Sequence, residues 1–83
     1  MYVFTVLVEC IDGESRCFAS YDVAASSRLE AEEIVRGQVP MDGLQLIGVE
    51  EVSKKALLRR WGSPRILKVY GRAYFDATSE QDS

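Results

Sequence analysis

Residues 65–75 alternate as a binding surface would. Ile66, Lys68, Tyr70, Arg72 and Tyr74 share one parity, and Leu67, Val69, Gly71, Ala73 and Phe75 share the other. On a strand, side chains of one parity emerge on one face. The first set then presents cations and rings together, while the second packs under a helix. Single-stranded nucleic-acid platforms use such a face: rings stack on bases and cations follow phosphates. The same residue types anchor protein interfaces, where arginine makes paired contacts to carboxylates and rings supply desolvated area. Lys54, Lys55, Arg59, Arg60 and Trp61 lie just upstream and extend the surface. The partner-binding set expected from the sequence is Arg59, Arg60, Trp61, Lys68, Tyr70, Arg72 and Tyr74.

Charge patterning singles out the same stretch. Of 10 basic residues, all but Arg16, Arg28 and Arg36 fall between Lys54 and Arg72, and no Asp or Glu interrupts that run. The net charge of −3 thus conceals an acidic first half, a basic segment and an acidic end carrying Asp76, Glu80 and Asp82. Such separation creates local fields stronger than the net charge suggests. Residues 76–83 read as a disordered acidic tail, long enough to lie over the basic face.

Little else in the chain points to chemistry. There is no histidine, the commonest general base and metal ligand. Glu30, Glu32 and Glu33 read as a solvated helix face, and Glu50 and Glu51 point to opposite sides of a strand. No glycine-rich phosphate loop or nucleophile elbow is present. Cys10 and Cys17 flank a hairpin turn and read as two reduced thiols, too few to hold structural zinc. Neither an enzyme nor a cofactor is expected. The apolar opening, residues 1–8, meets Glu9 and Asp12 too soon for a signal peptide or membrane span, which predicts a soluble cytoplasmic protein.

These residues need a scaffold. At 83 residues with 47% hydrophobic and 28% charged side chains, the chain has the composition of one small globular domain, expected over residues 1–75. Residues 2–10 read as a strand apolar on both parities, hence central. Asp12-Gly13 is a hairpin signal, and residues 16–23 alternate as a second strand. Ser27 with Glu30 three residues later forms a capping box. The helix it opens is expected to run to about Arg36, stop at Gly37 and be barred from resuming by Pro40. Residues 44–52 form a third strand with an irregularity at Gly48. Residues 54–61 read as a short second helix capped by Ser53, with an extended hairpin arm as the alternative. Residues 65–75 form the fourth strand. The result is an α+β, ββαββ antiparallel four-stranded sheet in the order 2-1-3-4, with one helix on one face.

The run Tyr21-Asp22-Val23-Ala24-Ala25-Ser26-Ser27-Arg28-Leu29-Glu30-Ala31-Glu32-Glu33-Ile34-Val35, then Val39-Pro40, Gly43 and a strand ending Gly48-Val49-Glu50, resembles small phage-encoded host-interaction proteins. These include anti-CRISPR proteins and phage inhibitors of host RNA polymerase. The resemblance covers about half of the chain and implies a non-enzymatic binder of a host protein complex, without assigning contact residues. The leading expectation is therefore a small protein-interaction module. A nucleic-acid-binding domain using the same residues, and a self-assembling or homodimeric structural protein, are the alternatives.

Overall fold

The structure, a computed structural model, describes residues 1–59 and 62–75. Strand β1 (Tyr2–Asp12) and strand β2 (Ser15–Ala25) form a hairpin in continuous register from Tyr2↔Ala25 to Asp12↔Ser15. Gly13 takes a φ of 66° at the first loop position, a conformation glycine adopts without the steric cost of a Cβ. Phe4, Val6, Val8 and Cys10 of β1 face Val23, Tyr21, Ala19 and Cys17 of β2, and all eight are buried.

Helix α1 (Arg28–Met41) covers that face with Ala31, Val35 and Val39, spaced four apart and fully buried. Ser27 caps it, accepting the Glu30 N–H at 3.1 Å. The Glu30 carboxylate reaches one residue further back than a capping box requires. It accepts the Ser26 N–H at 2.7 Å and the Ser26 hydroxyl at 2.8 Å.

The expected stop at Gly37 is wrong, as is the expected block at Pro40: the helix runs through both. The true stop is Gly43, with a φ of 82°. The Leu44 N–H bonds the Val39 carbonyl at 3.1 Å and the Gly43 N–H bonds the Pro40 carbonyl at 3.0 Å. Those two bonds make a Schellman closure. Burial of Val39 and Leu44 outweighs the cost of about 1 kcal/mol for a mid-helix glycine. A Cβ at Gly37 would meet nothing within 4 Å. Gly37→Ala should therefore stabilise the chain by about 0.5–1 kcal/mol in urea unfolding. A loss of stability would show that the helix does not extend past this point.

Strand β3 (Gln45–Leu57) pairs antiparallel with the other edge of β1, with register shifts that leave Ile47, Glu50 and Lys55 as extra residues. β1 is central, as its sequence implies. The expected helix over 54–61 is absent among the described residues: Lys54 to Leu57 continue β3, while Arg60 and Trp61 lie outside the described residues.

The expected strand order needs correction too. Strand β4 (Arg65–Val69) pairs with β2, not β3, and strand β5 (Ala73–Tyr74) pairs with β2 farther along. The order is β3-β1-β2-β4, an antiparallel sheet with one helix among the described residues. On the β2 edge, Ile66 packs against the core beside Val23, and Tyr70 and Arg72 find carboxylates. The β3 edge carries Glu50, Glu51, Lys54 and Lys55 instead. The acidic tail expected over residues 76–83 lies outside the described residues.

Candidate functional site

Among the described residues, no helix lies over the second face of the sheet. Val3, Thr5, Leu7, Glu9 and Ile11 of β1 lie there opposite Ala24, Asp22, Ser20, Phe18 and Arg16 of β2. Leu7, Ile11 and Phe18 are half-buried. Phe75 joins them: its N–H bonds the Arg16 carbonyl at 3.0 Å, and its ring sits 5.0 Å from that of Phe18, tilted by 31°. The Arg16 guanidinium lies 4.9 Å from the Phe75 centroid and pairs with the Glu9 carboxylate. A cation placed this way over a ring face is held by the ring's quadrupole.

Beside this cluster lies a polar one. Asp22 accepts the Thr5 hydroxyl at 2.7 Å on one oxygen and the Tyr70 hydroxyl at 2.8 Å on the other. Lys68 Nζ rests 4.6 Å from the Tyr70 centroid. The hydrogen bond to Asp22 holds the Tyr70 phenol above its ordinary value.

The expected single surface thus divides. Lys68 and Tyr70 lie on the open face, whereas Arg72 and Tyr74 reach a different place. Arg72 donates to Asp12 Oδ2 at 3.0 Å and to the Asp42 carbonyl at 2.9 Å, and the Tyr74 hydroxyl donates to the same Asp12 oxygen. Asp12 closes the β1–β2 turn and Asp42 closes α1. These two side chains therefore latch the turn to the end of the helix. Arg59 is exposed just beyond β3, and Arg60 and Trp61 lie outside the described residues.

Two irregularities cause the split. Asp22 pairs with Lys68 and Val23 with Ile66, so Leu67 is an extra residue in the ladder. Tyr70 then bonds Ser20 while Ala73 pairs with Phe18, three steps on one strand against two on the other. Each one-residue slip moves the following side chains to the opposite face. The set expected to be buried is exposed: Leu67 at 40% is the extra residue, Phe75 at 41% has moved to the open face, and Val69 at 55% keeps the face of Tyr21 but lies on the edge strand. Phe18 and Phe75, absent from the expected site, are the rings that meet on the open face. The one sequence signal for them was Phe18 breaking the alternation of β2.

The latch has a pH signature. The Tyr74 hydroxyl foremost, then the Arg72 guanidinium, hold the Asp12 carboxyl below its ordinary value of 3.8. A carboxyl depressed by folding stabilises the native state fully above its unfolded value, and that contribution is lost as pH falls through the folded value. Asp12→Asn should therefore lower the melting temperature at neutral pH and flatten its decline below about pH 4. An acid limb identical to that of the parent would show that the latch is not formed in solution.

The thiols stand opposite each other in the hairpin, Sγ to Sγ 3.2 Å, both free and buried. Burial first, then the hydrogen bond with Cys17, pushes the Cys10 thiol up to about 12. A thiol so protonated is a poor nucleophile. Among the described residues no three His, Cys, Asp or Glu side chains are grouped to hold a metal ion, and no helix is long and apolar enough to cross a membrane. Compared with family models, curated proteins and solved structures, the chain matches none of them.

Proposed function

We propose that this chain is a protein-interaction module whose docking surface is the open face of the sheet. One observation carries the reading. Leu7, Ile11, Phe18 and Phe75 form an apolar cluster on a face that, among the described residues, no helix covers; Glu9 sits among them, paired with Arg16, and Asp22 and Lys68 border them. An apolar cluster bordered by polar groups of mixed charge is the usual anatomy of a recognition patch. Arg16 and Lys68 supply cations to partner carboxylates, and Glu9 supplies the reverse. Arg72 and Tyr74, held by Asp12, act as fold latches in this reading rather than as contacts. The resemblance to phage host-interaction proteins would make the partner a cytoplasmic host complex.

Nucleic acid is the second reading. Lys55, Arg59 and Arg65 are exposed at the same end of the sheet, where Tyr2↔Ala25 closes the β1–β2 ladder. The open face itself is less suited to phosphates, since Glu9, Asp22 and Glu51 share it with the cations. A phosphate-tracking surface loses affinity steeply with salt because each contact releases counterions. Gel shift at low salt against single-stranded and duplex DNA and RNA decides the matter. No shift is expected. A shift that collapses as salt rises would overturn the protein-partner reading.

A further inference from the structure

β3 is one edge of the sheet, and among the described residues no strand pairs with its outer side. Such an edge presents unpaired backbone donors and acceptors that can template another strand. The residues it presents are ordered by charge. From Ile47 they read Ile-Gly-Val-Glu-Glu-Val-Ser-Lys-Lys-Ala-Leu, with Glu50 and Glu51 on one side of Val52-Ser53 and Lys54 and Lys55 on the other. All four charged side chains are exposed. Two large apolar side chains flank the block, Ile47 at 48% and Leu57 at 59% exposure.

We infer that a second copy of this chain pairs with β3, edge to edge and antiparallel, about a two-fold axis at Ser53. Self-pairing with this symmetry is isologous: whatever one copy offers, the other meets in reverse order. Glu51 of each copy then stands opposite Lys55 of the other on the open-face side, and Leu57 of each stands opposite Val49 of its mate on the helix side. Opposite charges across a strand pair are favourable, and like charges are unfavourable. Lysines and bulges ordinarily guard an edge against such pairing. Here Lys55 meets Glu51 instead, and residues 51–54, which include the axis, are in unbroken register with β1. Lys54 rests 4.4 Å from the Tyr2 ring centroid within one chain. Arg28 donates to the Val52 carbonyl, which keeps a second lone pair for the mate.

This inference does not rest on the open-face reading, because its charges lie on β3, whereas Phe18 and Phe75 lie on the β2 side of the sheet. Its test is mass in solution, measured by light scattering on sized samples, with folding checked by circular dichroism. The full chain should give twice the chain mass at low salt. Glu50→Lys with Glu51→Lys makes the block wholly basic, and Lys54→Glu with Lys55→Glu makes it wholly acidic. Each double variant alone should give the mass of one chain. Mixed in equal amounts they should return to twice that mass, since the charge at position 51 of each again meets its opposite at position 55 of the other. The variant carrying all four changes should also be dimeric, and it supplies the answer if a double variant fails to fold. A full chain that stays monomeric at millimolar concentration would overturn the inference. So would a dimer indifferent to the reversals, or double variants that do not combine. Phe18→Ser should leave the dimer intact, and loss of the dimer there would place the interface on the open face instead.

Discussion

Replacing Tyr21 with alanine is expected to remove a large share of the stability of this chain. Tyr21 is 1% exposed and pairs with Val6 on one side and Val69 on the other. Its ring belongs to the cluster that Val35 and Val39 of α1 close over. Its hydroxyl donates to Asp42 Oδ2 at 2.9 Å. Burial first, then that bond, holds the phenol far above its ordinary value, so it stays protonated as a donor. Truncating a buried aromatic side chain costs about 3–5 kcal/mol. A domain of this length has about 4–12 kcal/mol in all, at 0.05–0.15 per residue. Tyr21→Phe is the informative companion. It keeps the ring and loses one hydrogen bond to a carboxylate, about 1.5–3 kcal/mol, and Asp42 retains the Gln38 amide at 2.8 Å. Urea unfolding followed by circular dichroism should show the alanine variant losing clearly more than the phenylalanine variant. Equal losses would mean that the ring is not part of the core.

How much of this was legible in advance differs from element to element. The β1–β2 hairpin could be read because Asp12-Gly13 is a local instruction and the alternation of residues 16–23 has one period. Ser27 and Glu30 marked the start of α1 equally locally. The end of α1 could not be read the same way, because the sequence offers two glycines. Gly37 is a better stop by position, but only burial of Val39 and Leu44 decides for Gly43, and that burial depends on β1 and β2. Pairing of β4 with β2 rather than β3 is a contest between two edges, and no residue in β4 records its outcome. The site suffered most. Alternation over residues 65–75 is a correct reading of the letters, yet the extra residue at Leu67 and the step at Tyr70–Arg72 exchange the faces. Lys68 and Tyr70 stay where the alternation puts them, while Arg72 and Tyr74 do not. Bulges of this kind arise from how a strand fits its neighbour and leave little mark on composition.

The second large effect concerns binding rather than folding. Leu7→Glu should cost about 30-fold or more in partner affinity while leaving the fold intact. Leu7 is half-buried on the open face, opposite Ser20 on one side and Glu51 on the other. A glutamate there places a charge in the apolar centre, and docking would have to strip its water. Central interface anchors are worth about 2 kcal/mol or more each, which is the stated factor. Phe18→Ser should act in the same direction by removing the ring that Phe75 stacks upon. Glu33→Lys, on the exposed side of α1, is the control and should bind as the parent does. Proteins captured from lysate by the parent and the control, and lost from both open-face variants, identify the specific partner. Equal capture by all four would remove the open face from consideration.

With that partner in hand, side-chain footprinting bears most directly on the docking surface. The bound and free chains are exposed to a short pulse of a solvent-borne radical label, and the modified residues are read by mass spectrometry. Phe18, Phe75 and Leu7 should lose label on binding, while Leu29 and Met41, exposed on α1, should keep theirs. Protection of Leu29 and Met41 with continued labelling of Phe18 and Phe75 would contradict the assignment of the open sheet face as the site of docking.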